Sequence, residues 1–122
     1  MTYLCFTVSG QPIPKARARR GRSGRWYTPA RTRVYEERVG WEAWLAGARP
    51  VTGDVEVRIV VRGKTRHRKF DLDNIAKAIL DGLTGVAYYD DAQVVALEVR
   101  WESGEPSAEV AVCRPEIRGG EE

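Results

Sequence analysis

The amino-acid sequence predicts a single α+β domain of order β-α-β-α-β-β, with a small mixed sheet and its helices packed on one face. Three observations predict it. The chain has 122 residues, enough for one core and little more, and 43% of them are hydrophobic, which is sufficient to build that core. Four segments alternate apolar and polar residues with the period of a strand, and two others carry apolar residues at helical spacing. No stretch approaches the roughly 18–20 apolar residues that span a bilayer, so a transmembrane helix is excluded.

Along the chain, Leu4, Phe6 and Val8 fall on one face of a first strand over Tyr3 to Val8. The stretch GQPIPKARARRGRSGRWYTP follows, and its Pro, Gly and Arg content predicts a basic, mobile loop over residues 10–28. Thr28 and Pro29 suit the N-cap and first position of a helix. That helix runs to about Gly47, with Val34, Trp41, Leu45 and Ala48 near helical spacing. Val55, Val57, Ile59 and Val61 alternate with Glu56, Arg58 and Arg62 as a half-buried strand. The basic loop GKTRHRK leads to DLDNIAKAILDGLTG. This second helix is expected to bury Ile75, Ile79, Leu80 and Leu83 and to stop at Gly85. A turn through Tyr88 to Asp91 precedes a strand from Val94 to Trp101, with Val95, Leu97, Val99 and Trp101 on one face. A hairpin connection at Gly104 to Pro106 then leads to a last strand, Ala108 to Cys113. The expected domain covers residues 1–114, and residues 115–122 form a frayed tail.

The net charge of +3 conceals an uneven distribution. Residues 1–35 contain no Asp or Glu but hold Lys15, Arg17, Arg19, Arg20, Arg22, Arg25, Arg31 and Arg33. A second basic cluster, Arg62, Lys64, Arg66, Arg68 and Lys69 around His67, runs into Asp71, Asp73, Asp81, Asp90 and Asp91. Basic flanks around an acidic patch are what a chain needs to hold and cut a polyanion. Lys15, Arg17, Arg19, Arg20, Arg66, Arg68 and Lys69 are the expected DNA contacts. The opening residues alternate in polarity and precede the bases, the reverse of a signal peptide, so a cytoplasmic protein is expected. Cys5 and Cys113 lack metal-ligand spacing and are expected to be two buried thiols. Trp41, Trp44 and Trp101 suit a core or an interface, whereas Trp26, beside Tyr27 in the Arg-rich loop, suits stacking on a base.

On the second helix, Asp73, Lys77 and Asp81 lie at i, i+4 and i+8 and share one face. Asp71 sits two residues earlier, and Asp90 and Asp91 arrive before the next strand, where they can return to the same end of the sheet. Clustered carboxylates of this kind suit Mg²⁺, a hard ion that prefers oxygen ligands, and Lys77 adds a fixed positive donor. Blander readings stand beside this one. Asp71 or Asp73 would serve equally as a helix cap, Asp73–Lys77–Asp81 as a solvated ladder, and Asp90–Asp91 as a turn. A calcium loop is excluded, because Ile75 and Ala76 fall where an oxygen ligand and Gly are required.

The run DLDNIAKAILDGLTGVAYYDDAQV, together with GQPIPKARARR and YTPARTRVYEERV, resembles the RusA-type crossover junction endodeoxyribonucleases over most of the chain. The resemblance implies a Mg²⁺-dependent enzyme, with Mn²⁺ able to substitute, that acts as a homodimer on four-way (Holliday) DNA junctions. It makes paired nicks in recombination and repair. It further implies that Asp71, Asp73 and Asp91 bind the metal, that Lys77 is catalytic, and that Asp90 and Asp81 give acidic support. The alternatives are an inactive binder of branched DNA, which would leave the aspartate set without a purpose, and a small RNA-binding domain, for which no aromatic strand pattern is present.

Overall fold

The structure, a computed structural model, describes residues 2–16, 19–64 and 72–115. Its elements are β1 (Thr2–Ser9), β2 (Arg19–Arg20), β3 (Trp26–Tyr27), α1 (Ala30–Leu45), β4 (Val55–Gly63), α2 (Leu72–Leu83), a 3-10 turn (Asp91–Gln93), β5 (Val94–Ser103) and β6 (Ser107–Cys113). The main sheet has the order β1-β6-β4-β5. β6 runs antiparallel to both β1 and β4, and β4 runs parallel to β5. The fold is α+β with a mixed four-stranded sheet, as the alternation and spacing predict.

The alternation of β4 decides which face is covered. Val55, Val57, Ile59 and Val61 are buried and meet Ile75, Ile79 and Leu83 of α2, Val39 of α1 and Val110 of β6 in one core. The opposite face is polar and ion-paired. Arg62 bonds Glu109 at 2.8 Å and Glu102 at 3.4 Å, Arg100 lies 3.2 Å from Glu102, and Arg58 lies 4.0 Å from Glu98. The cross-strand pairs of Arg58 and Arg62 suit a solvated sheet face, and Arg100 is matched by Glu102 on its own strand.

The two helices cross at glycines. A Cβ built on Gly82 would lie 2.6 Å from the Glu36 carbonyl oxygen and 2.9 Å from Val39 Cβ, and one on Gly40 would lie 2.9 Å from the Gly82 carbonyl oxygen. This close approach reverses the expected face of α1. Thr32, Tyr35, Val39, Gly40 and Ala43 are buried, while Val34, Trp41 and Leu45 are exposed. The small residues face inward because only they let the backbones approach, and the bulky apolar stripe is left outside. Trp44 is also exposed, with the Arg49 guanidinium 3.5 Å above its ring. A further expectation, that both cysteines are buried, is corrected. Cys5 is exposed, since it points away from the helices on the edge strand β1, and only Cys113 is buried. On the other edge strand, β5, Val95 and Leu97 are 56% and 46% exposed, because α2 covers only part of that edge. Among the described residues no helix is long and apolar enough to cross a membrane.

The stretch 10–28 contains a two-residue ladder, Arg19 with Tyr27 and Arg20 with Trp26. Residues 116–122 lie outside the described residues.

The helix crossing yields a first prediction. Gly82→Ala forces a methyl group into backbone that cannot yield, so stability should fall by about 1–3 kcal/mol, as overpacking does. Urea unfolding checks it, with the exposed-site control Glu37→Ala expected to change stability by less than about 0.5 kcal/mol.

Candidate functional site

α2 forms as the amphipathic pattern requires. Ile75, Ala76, Ala78, Ile79, Gly82 and Leu83 are buried, and Asp73 and Lys77 stand on the solvent side. Asp73 lies in the first turn, where a carboxylate is favoured by the helix dipole. Among the described residues, neither Asp73 nor Lys77 has a hydrogen bond or ion pair.

Asp81 is committed elsewhere. The Lys15 ammonium lies 3.0 Å from Asp81 and 2.6 Å from Glu36, so the start of the basic stretch ties α1 to α2. The Lys15 amide donates to the Asn74 carbonyl at 2.8 Å, and the Ala16 amide donates to the Thr32 hydroxyl at 3.3 Å. Lys15 is thus a tie within the fold rather than a cation free for phosphate.

Asp90 is also committed. It is the N-cap of the 3-10 turn: its Oδ1 accepts from the Ala92 amide at 2.8 Å. Gln93 closes the capping box, its Oε1 accepting from the amides of Tyr89 (2.8 Å) and Asp90 (3.0 Å). The same side chain donates through Nε2 to the carbonyls of Val51 and Gly53, both at 2.8 Å. That double use fixes the turn to the loop before β4. Asp91, next in sequence, is exposed and unbonded among the described residues.

Asp73 and Asp91 do not share one end of the sheet within one chain. β4 and β5 are parallel, pairing Val55 with Val94 and Gly63 with Ser103. α2 is the crossover between them, so it starts near the Gly63 end and finishes near the Val94 end. Asp91 stands at the latter end, near Tyr88, whose hydroxyl donates to the Leu80 carbonyl at 2.8 Å. From Asp73 to Asp81 alone the helix rises about 12 Å. Accordingly no group of three or more metal-type side chains occurs among the described residues. Asp71, Arg17, Arg66, Arg68 and Lys69 lie outside them, and Arg19 is described only as a strand residue.

Arg20, Arg22, Arg25, Arg31 and Arg33 are exposed, and none of them forms an ion pair among the described residues. A groove of about 510 Å³ between α1 and the end of α2 is lined by Trp41, Trp44, Val86 and Asp81 among others. Asp73, Lys77, Asp90 and Asp91 do not line it. The 3-10 turn capped by Asp90 is the feature that sequence reasoning left open, although its Asp-x-x-Gln spacing is a capping-box signal.

The buried ionisable groups set a pH dependence. Burial alone would lower the Lys15 pKa, but its hydrogen bonds to Glu36 and Asp81 outweigh that and hold it above the ordinary 10.5. Burial pushes Tyr35 from 10.0 up to about 12. It also raises Tyr88, with the nearby charges of Asp91 and Asp81 adding to the effect. Each group keeps its proton in the folded chain beyond the pH at which the unfolded chain releases it. The stability they contribute is therefore complete below about pH 10 and is lost as pH rises above it. Urea midpoints from pH 7 to 11 should hold level with respect to these groups up to about pH 10 and then fall. In Lys15→Met the fall should be shallower, because one of the three groups is gone.

Comparison with known proteins gives two findings. The family described as Endodeoxyribonuclease RusA matches residues 9–113. The Uncharacterized protein YqaN of Bacillus subtilis (strain 168) is 30% identical, over 92% of this chain and 96% of its own length.

Proposed function

The chain belongs to the RusA endodeoxyribonuclease family, and from that premise we propose that it is a Mg²⁺-dependent nuclease that resolves four-way DNA junctions by paired nicks, acting as a homodimer in the cytoplasm. The observation that carries this reading is the division among the acidic and basic side chains. Asp81, Asp90 and Lys15 are bonded within the fold, while the side chains of Asp73, Lys77 and Asp91 have no partner among the described residues. Exposed carboxylates facing a polyanion would repel it, and a divalent counter-ion removes that repulsion.

The donor set fits a hard divalent ion. Asp71, Asp73 and Asp91 offer carboxylate oxygens alone, the ligands of Mg²⁺ and Mn²⁺, and the exposure of Asp73 and Asp91 leaves room for water and phosphate in the remaining positions. When bound, the ion supplies positive charge for the scissile phosphate and acidifies a water. Lys77, one turn beyond Asp73, holds positive charge beside the phosphate and can give a proton to the departing oxygen as the P–O bond breaks. Arg20, Arg22 and Arg25 hold flanking phosphates.

A second copy has a structural purpose in this account. Asp73 and Asp91 stand at opposite ends of α2, so a single chain offers them as separated halves. Antiparallel pairing of β5 with the β5 of a two-fold partner would set the Asp91 end of one protomer beside the Asp73 end of the other. The free edge of β5, with Val95, Ala96 and Leu97 exposed, supports this arrangement, since an unpaired apolar edge is a template for strand addition. Two-fold symmetry then presents two metal sites to the two strands that must be cut.

Asp73→Asn should reduce nicking of a synthetic four-way junction by at least about 10³-fold and leave junction binding within a few-fold. Nicking at the wild-type rate would show the metal assignment to be wrong. Mixing Asp73→Asn with Asp91→Asn should restore cutting of one strand per junction, because one of the two shared sites in the mixed dimer is intact. For the dimer surface, Val95→Lys should shift the mass in light scattering from dimer to monomer, with cutting lost in parallel. A dimer that persists and still cuts would place the interface elsewhere.

A further inference from the structure

The basic stretch before α1 forms a hairpin whose exposed aromatic residues the nuclease reading does not use. Arg20 pairs with Trp26, the Gly21 amide donates to the Arg25 carbonyl at 2.8 Å, and the Gly24 amide donates to the Gly21 carbonyl at 3.0 Å. Gly24 adopts φ +81°, a conformation that favours glycine, and the Arg20 Nε donates to its carbonyl at 3.3 Å. The result is a closed hairpin tip rather than a random loop. It carries Arg20, Arg22 and Arg25 with no carboxylate partner among the described residues, and Trp26 and Tyr27, 69% and 47% exposed.

An indole this exposed adds nothing to the core, and a tryptophan surrounded by unpaired arginines is poorly suited to an apolar protein partner. It matches a nucleic acid base flanked by phosphates, where each base stacks on the ring and the arginines take the backbone. The chain that leads into the hairpin is tied beside Asp73. The Lys15 amide is bonded to Asn74, the residue after Asp73, and Ala16 is bonded to Thr32 at the start of α1.

We propose that the β2–β3 hairpin is a branch-reading arm: Trp26 stacks on a base that is unstacked at the junction centre, and Arg20, Arg22 and Arg25 hold the phosphates around it. A continuous duplex keeps its bases stacked and offers no such partner, so the arm favours branched over linear DNA. The proposal rests on the nuclease reading for its substrate.

The test uses the whole protein without divalent metal, so that nothing is cut. Its probes are a four-way junction carrying 2-aminopurine at the branch, the same base within an arm, the linear duplex and the single strand. Wild type should quench the branch probe and leave the arm probe unchanged. Trp26→Ala should abolish that quench and weaken junction binding about 10-fold or more, while linear duplex binding changes less than about 2-fold. Trp26→Phe should retain most of both. Trp26 is outside the core, so an unchanged thermal melt will show that the variants are folded. Wild-type quenching and affinity in Trp26→Ala would overturn the proposal. Equal losses on junction, duplex and single strand would also overturn it, by making Trp26 a general contact. Nicking by wild type in Mg²⁺ is scored separately: cutting together with an unaffected Trp26→Ala condemns the arm alone, whereas a wild type that neither binds nor cuts the junction condemns the nuclease reading and the arm with it.

Discussion

Parallel pairing of β4 with β5 is the constraint on which the rest of the molecule depends. Parallel neighbours need a crossover, and α2 is that crossover. It must therefore lie against the sheet, run back along it and deliver the chain to the start of β5. Its buried stripe, its contact with α1 and the separation of its two ends all follow. At the Gly40–Gly82 contact the two helices on this face approach so closely that neither position has room for a Cβ. Lys15 then bonds across that crossing to Glu36 and Asp81.

The same layout sorts the charges. On the open sheet face Arg58 and Arg62 are matched by glutamates on neighbouring strands and Arg100 by Glu102 on its own strand, which removes that face as a polyanion surface. Among the described residues, the bases without a carboxylate partner include Arg20, Arg22, Arg25, Arg31, Arg33 and Lys77, and the carboxylates without a cation partner include Asp73 and Asp91. A net charge of +3 is thus the remainder of an ion-paired population and an unpaired one. The unpaired groups of the hairpin and of the solvent side of α2 are the ones suited to DNA and metal.

Much of the fold was legible because period and burial agree. β4 alternates in sequence and in exposure, and the apolar stripe of α2 is the stripe that packs. α1 was misread because both of its faces are apolar in different ways. The large residues Val34, Trp41 and Leu45 dominate a hydrophobic pattern, while the packed face uses Gly40 and Ala43, which carry little hydrophobic signal but permit close approach. The solvent face of α2 with Asp73 and Lys77 was legible from spacing alone. Which aspartates are structural was legible only in part: the Asp90 cap has a local Asp-x-x-Gln signal, whereas Asp81 meets Lys15 from 66 residues away, a contact that no local spacing encodes. Sheet order, which divides Asp73 from Asp91, is a long-range property that no local pattern specifies.

The most direct measurement is strand cleavage of a four-way junction, with each strand end-labelled in turn, beside its linear duplex, with and without Mg²⁺. The account predicts symmetric nicks in two opposed strands, on the junction only and in Mg²⁺ only. Junction binding with no nicks in either Mg²⁺ or Mn²⁺, or equal cutting of the linear duplex, would contradict it.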